Sequence, residues 1–193
     1  MSLMLLGILN SQVSGGGLTP AYDFLEAVTV STSVSSISFS NLNNYSSYKH
    51  LQLRISSQVT DYGGSDNPFI LLTFNGDSAS NYSDHRMGYE SGGGRSDFGT
   101  SRTSIRAGRN VALFGSQHNG KYASSVIDIL DFNSSSKNTT IRSLSGAEAL
   151  QDDDVMLFSG AWMNTSSVSS LLLTPSAGLF RTATRVGMYG LKG

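Results

Sequence analysis

The sequence predicts an all-β domain, a jelly-roll-like antiparallel β-sandwich with an extended N-terminal arm, and three observations lead there. Apolar residues recur with period two along most of the chain after Pro20, the spacing that lines one face of a pleated strand. Clusters of Gly, Asn, Asp and Ser break this pattern at intervals of roughly 8–15 residues, as in all-β sandwiches and barrels. No apolar 3.6 period and no alternation of strand and helix is visible, so stacked antiparallel sheets are left as the way to bury these segments.

Residues 1–21 stand apart. Leu3, Leu5, Leu6, Ile8 and Leu9 form a short apolar arm, followed by the joint Gly15-Gly16-Gly17. The run from Leu3 to Leu9 is far shorter than the ~20 residues a bilayer demands. No Lys or Arg precedes it and no small-residue cleavage pattern follows, which argues against a signal peptide. Exposed, such a run is a liability. It is expected to bury itself on a partner, with residues 22–193 forming one sandwich domain.

Along that domain, Phe24–Val30 alternates as a first strand and Val34, Ile37 and Phe39 as a second. Tyr48–Val59 is the clearest strand, with Leu51, Leu53 and Ile55 on one face and His50, Gln52 and Arg54 on the other. The cluster Asp61–Pro68 stops it. Phe69–Phe74 is a continuous apolar strand closed by Asn75-Gly76-Asp77, where Asn and Gly both tolerate positive φ. Tyr82–Tyr89 follows. The stretch 90–110, with Arg95, Arg102, Arg106 and Arg109 scattered through Gly, Ser and Thr, reads as the least structured part. Val111–Phe114, Ala123–Phe132, Lys137–Leu144, Val155–Met163, Val168–Thr174 and Phe180–Leu191 complete the series, with Asn133–Ser136 as a hairpin connection and room for one helical turn in Ala147–Asp154. The faint likeness of Val34–Ser40 to Val168–Thr174 is equivalent strand chemistry rather than a repeat.

Composition narrows the function. Charged residues make up 14%, against 21 glycines and 35 serines, a balance of β-rich extracellular or viral surface modules more than of cytosolic enzymes. A net charge of −1 provides no field to attract nucleic acid. The absence of Cys removes disulfides, thiolate metal sites and Cys nucleophiles.

No catalytic pattern emerges. There is no G-x-S-x-G elbow, and His50, His85 and His118 lie too far apart in sequence for a metal-ligand pair on one element. His50 and His85 are expected beside strand edges, bonded to neighbouring backbone. Asp128 and Asp131 raise the possibility of a glycosidase carboxylate pair, but a spacing of three in a strand sends them to opposite faces. Arg142 or Arg54 is their expected partner, because buried charge must be paired. Asp152-Asp153-Asp154 lacks the alternating spacing of calcium loops and reads as a solvated turn. The loops around 61–68 and 89–110 are expected to meet a surface through Tyr62, Tyr89, Arg95, Phe98, Arg102 and Arg106, as Tyr and Arg are enriched at interfaces. No catalytic residue, metal or cofactor is expected.

An ordered set of motifs adds a family expectation. Asp23-Phe24-Leu25-Glu26, Ser36-Ile37-Ser38-Phe39 and Tyr48-Lys49-His50-Leu51-Gln52-Leu53-Arg54 come first. Leu72-Thr73-Phe74-Asn75-Gly76-Asp77, Asn81-Tyr82-Ser83-Asp84-His85 and Val126-Ile127-Asp128-Ile129-Leu130-Asp131 follow. Ile141-Arg142-Ser143-Leu144-Ser145-Gly146, Gly160-Ala161-Trp162-Met163-Asn164 and Met188-Tyr189-Gly190-Leu191-Lys192-Gly193 close the series. Over residues 23–193 this resembles a family of tailed-bacteriophage virion proteins, abundant in aquatic phages and commonly described as tail-fibre or structural proteins. The resemblance implies a non-enzymatic β-rich virion module, assembled in the bacterial cytoplasm, with no catalytic or receptor-binding residues to carry over. In some relatives such a module ends a longer fibre, whereas here only the arm precedes it. The expectation is a homotrimeric tail-fibre or tail-tip module that docks by its arm onto tail or baseplate and meets host glycan or protein. The alternative is a capsid decoration protein cementing the major capsid protein. A polysaccharide-active enzyme is a distant third. Neither nucleic-acid binding nor membrane insertion is expected.

Overall fold

A computed structural model describes residues 21–63, 67–90, 92–113, 118–148 and 154–192. The strands, in chain order, are β1 (Tyr22–Thr29), β2 (Ile37–Phe39), β3 (His50–Val59), β4 (Phe69–Phe74), β5 (Tyr82–Glu90), β6 (Gly93–Arg102), β7 (Ile105–Arg109), β8 (Val111–Ala112), β9 (Ala123–Leu130), β10 (Thr139–Ala147), β11 (Asp154–Trp162), β12 (Leu171–Pro175) and β13 (Arg185–Leu191). The one helical element among the described residues is a 3₁₀ turn, Leu42–Tyr45, whose Leu42 is buried.

These strands form two sheets. The larger runs β1-β13-β3-β9-β10-β11-β5-β6, and the smaller runs β2-β12-β4-β7. The first four strands of the larger sheet and the four of the smaller one make a jelly roll. The chain alternates between sheets through β1 to β4, and again at β12 and β13, so sequence neighbours face each other across the core. Two hairpins are added to that body. β5–β6 is inserted between β4 and β7, and β10–β11 between β9 and β12. They meet along the β11–β5 ladder, which runs from Asp154↔Glu90 to Trp162↔Tyr82, and together extend the larger sheet by four strands. β8 adds a two-residue parallel pairing to β3.

The core lies between the sheets. Leu51, Leu53, Ile127, Ile129 and Met188 from the larger sheet meet Ile37, Phe39, Ile70, Leu72, Phe74, Leu171 and Leu173 from the smaller one. The side chains expected to point inward on β3 do so, as do Ile127 and Ile129 on β9. Where the sandwich joins the added hairpins, Phe74 and Tyr82 flank Trp162 at 5.7 and 6.4 Å between ring centroids. The Trp162 indole N–H donates to Asp77 Oδ2 at 2.8 Å, and the Tyr82 hydroxyl donates to the Asp77 carbonyl at 2.9 Å. Asn75 and Gly76 have φ of 53° and 67°, the left-handed turn read from sequence. That turn passes the chain from one sheet to the other rather than closing a hairpin.

Two expectations are corrected, and a third falls mostly outside the described residues. Residues 90–110 hold all of β6 and β7, so they are largely strand, and every residue of β7 is buried. Their low apolar content hid them, because beside the core residues Ile105 and Ala107 they bury Arg106 and Arg109, neutralised by carboxylates. Strand β9 ends at Leu130. Asp131 takes φ of 51°, which breaks the period-two parity and sends Phe132 into the core instead of outward. At the proposed helical turn, Ala147 ends β10 and Asp154 begins β11, while residues 149–153 lie outside the described residues.

Candidate binding face

Pleating places alternate residues of β9, β10, β11, β5 and β6 on the outer face of the extended sheet, away from the smaller sheet. The ladders align them into rows. Val126 opposes Leu144, Leu144 opposes Leu157 and Leu157 opposes Met87, giving an apolar stripe across four strands. Beside it, Asp128 opposes Arg142, Arg142 opposes Ser159, Ser159 opposes His85 and His85 opposes Phe98. On the other side, Val155 opposes Tyr89.

This face is a groove of about 760 Å³ whose walls are mainly apolar. Met87, Tyr89, Phe98, Leu144, Val155 and Leu157 are all more than half exposed and Val126 more than a third. The exposed area of these seven is roughly 700 Å², above the ~300–600 Å² that forms the largest patch on an ordinary monomer. The polar row is short. Arg142 Nε donates to Asp128 Oδ2 at 2.9 Å, and Gln52 Nε2 donates to Asp128 Oδ1 at 2.8 Å. Arg54 donates to Gln52 Oε1 at 2.9 Å and lies over the Tyr189 ring at 4.6 Å, so Arg142 is the direct partner of Asp128.

Behind the groove, the inner face of the same hairpins carries a buried ion network. Asp84 accepts the Arg106 backbone N–H at 3.1 Å and its Nε at 2.9 Å, with Arg102 Nε 3.2 Å away. Asp97 accepts Arg106 Nη1 at 2.6 Å and Arg86 Nε at 3.2 Å. The Arg106 hydrogen bond, with Arg86 beside it, holds the Asp97 carboxyl below the usual carboxylate range. Arg109 joins Asp154, through Nε at 2.8 Å, to Glu90. Burial pushes the Asp154 carboxyl above its usual range despite that partner. Phe69 sits among three guanidiniums, those of Arg86, Arg106 and Arg109, at 5.0, 5.4 and 4.5 Å from its ring centroid. The network ties β5, β6 and β11 of the larger sheet to β7 of the smaller one, so the groove stands on a fixed floor.

The residues expected at a surface separate accordingly. Tyr89 and Phe98 are on the groove face, Phe98 stacked on His85 at 5.7 Å. Arg95 is half exposed, 3.6 Å from Glu90. Arg102 faces Asp84, and Arg106 is buried on Asp84 and Asp97. These two hold the hairpins together rather than reaching outward. Tyr62 is partly buried against the core. Leu3, Leu5, Leu6, Ile8 and Leu9 lie outside the described residues, as do Asp152 and Asp153. Asp154, read as part of a solvated turn, is buried in the network. It anchors β11 because Arg109 and Asn67 both donate to its Oδ2. Asp131 lies beyond the strand end, held by Lys137 at 3.1 Å, and its backbone N–H donates to His50 Nδ1 at 2.9 Å. His85 stacks on Phe98, whereas backbone bonding was expected of it. Among the described residues no group of three or more His, Asp or Glu converges in a metal-binding arrangement.

The aliphatic centre of the groove escaped sequence reasoning. A usable signal existed: Val155-Met156-Leu157-Phe158 is apolar on both faces, the mark of a strand covered on both sides. No protein-family model and no curated protein matches this chain.

Proposed function

We propose that this chain is a non-enzymatic structural module of a bacteriophage virion that works by binding. The observation that carries the reading is the outer face of the extended sheet, an apolar groove lined by Met87, Phe98, Leu144 and Leu157 and bordered by the Asp128–Arg142 pair. A catalytic centre wants a charged group with unfilled hydrogen-bonding capacity aimed into a cleft. The charged groups this chain gathers, Asp84, Glu90, Asp97 and Asp154, sit with their arginines behind the sheet, and Asp154 Oδ1, left without a partner, is buried there on the inner face. Its exposed side is aliphatic and aromatic.

Assignment to a virion rests on the ordered motifs of residues 23–193. In this reading the module is a short tail-fibre or tail-tip part. The apolar residues Leu3, Leu5, Leu6, Ile8 and Leu9 dock onto tail or baseplate proteins, and Arg95, half exposed at the β5–β6 end and clear of the groove, meets host glycan or protein. A capsid decoration role is the second reading, favoured by the breadth of the aliphatic stripe, which suits protein neighbours in a lattice. Copy number per virion by quantitative mass spectrometry tests both: tens or fewer supports the tail, hundreds the head, and absence from purified particles sinks the virion reading. Hydrolysis of host polysaccharide that Asp128→Asn abolishes would overturn the non-enzymatic reading.

A further inference from the structure

We infer that the apolar stripe Val126–Leu144–Leu157–Met87, with Val155, Tyr89 and Phe98 around it, is the surface on which a second copy of this chain packs. The inference rests on the binding reading above and assigns the occupant of its groove. Area is the first argument. The exposed surface of these seven residues, roughly 700 Å² per copy from their fractional exposures, is close to the ~800 Å² that each partner contributes to a standard stable interface.

Chemistry is the second. The centre of the patch is aliphatic, built from Val, Leu and Met at register-matched positions on four strands, with aromatic residues and the one ion pair at its margin. An aliphatic core inside a polar rim is the anatomy of a protein interface, and the fully buried centre of homodimer interfaces is the more apolar kind. A sugar would want the reverse, an aromatic platform at the centre with several polar groups converging on it.

Charge is the third argument. The face carries Arg142 and Asp128 side by side, already paired at 2.9 Å, and the whole chain has a net charge of −1. Two copies therefore meet without like-charge repulsion, which would otherwise oppose self-association.

The molecule contains its own reference for a test. Met87 in the groove is 60% exposed and Met163, outside it, is 56% exposed, so in an isolated copy a mild oxidant converts both to sulfoxide at comparable rates. The full chain is run by light scattering coupled to size exclusion, and its methionines are footprinted with dilute hydrogen peroxide. The expected result is a species heavier than the 20.5 kDa monomer in which Met87 oxidises several-fold more slowly than Met163. Leu144→Asp and Leu157→Lys change outward side chains, so Trp162 fluorescence stays native. Both variants should fall to monomer mass and equalise the two rates. Phe24→Ser, at the far edge of the same sheet, should change neither.

A wild-type chain in which Met87 oxidises as fast as Met163 overturns the proposal at any mass. Protection of Met87 at monomer mass overturns it too, assigning the groove to the chain's own N-terminal segment. A monomer whose Leu144→Asp form is lost from virions overturns the second-copy assignment while leaving the binding reading in place. If Leu144→Asp separates the copies yet virions assemble and adsorb normally, self-association stands and the binding role fails.

Discussion

Replacing Asp84 with Asn should loosen the added hairpins from the jelly-roll body. Asp84 is fully buried in β5 and accepts three hydrogen bonds from Arg106, including the backbone N–H at 3.1 Å. Asn keeps the shape but removes the charge, and its NH₂ group turns a donor toward a guanidinium that has only donors. Arg106 is itself 8% exposed. Removing one partner of a buried pair costs ~3–5 kcal/mol, because the other charge is left uncompensated. Here Asp97 still binds Arg106 Nη1 at 2.6 Å and is 38% exposed on its side chain, so the lower end applies, about 3 kcal/mol. For a chain of this size each kcal/mol moves Tm by ~2–4 °C, giving a fall of roughly 6–12 °C. Urea unfolding followed by the single Trp162 measures the loss. Hydrogen exchange should show β6 amides opening before those of β3. The double variant Asp84→Leu/Arg106→Met should recover much of the loss, since an apolar pair of similar volume avoids desolvating two charges. A loss under about 1 kcal/mol, the range of an exposed pair, would refute the claim that this network fastens the extension.

Three further predictions concern other parts of the molecule. A Cβ at Gly160 would lie 2.5 Å from Ile105 Cγ2 and 3.0 Å from the Ser83 carbonyl, so Gly160→Ala should cost ~1–3 kcal/mol by overpacking, read as a lower urea midpoint; an unchanged midpoint means that β7 can shift away from β11. Asp77 is held below its usual value of 3.8 by hydrogen bonds from Asn81, the Ala79 backbone and Trp162. Its contribution is therefore present above that value and lost as pH falls through the lower folded-state value. Trp162 emission and urea stability should change in that acid window, and Asp77→Asn should flatten the dependence. A chain starting at Ala21 should fold with native Trp162 fluorescence but fail to enter virions, and its normal incorporation would show that the N-terminal arm is not the anchor.

Much of the fold was legible in the sequence. In β3 and β4, alternating or continuous apolar residues bounded by Asp61–Pro68 and Asn75-Gly76 specify both strand and boundary, because pleating and turn sterics are local. The strands β6 and β7 were not legible, since Arg106 and Arg109 are buried among carboxylates and only Ile105 and Ala107 supply apolar side chains to the core. A strand recognised by hydrophobic period disappears when its buried face is charged, and carboxylates on β5, β6 and β11 make such burial tolerable. The same reason hid the role of Arg102 and Arg106, which read as surface residues until Asp84 lay beside them.

The sequence by itself determined the class: period-two patterning, frequent turn signals and small polar residues admit a β-sandwich and little else. It also determined that charge and sulfur chemistry are scarce. Only the tertiary structure decided where the chain offers a surface. Val126, Leu144, Leu157 and Met87 belong to four separate segments, each ordinary alone. They become one groove because the β5–β6 and β10–β11 hairpins pair along β11 and β5, far apart in sequence. Strand registry is a long-range property, set by which edges meet, and no local pattern encodes it.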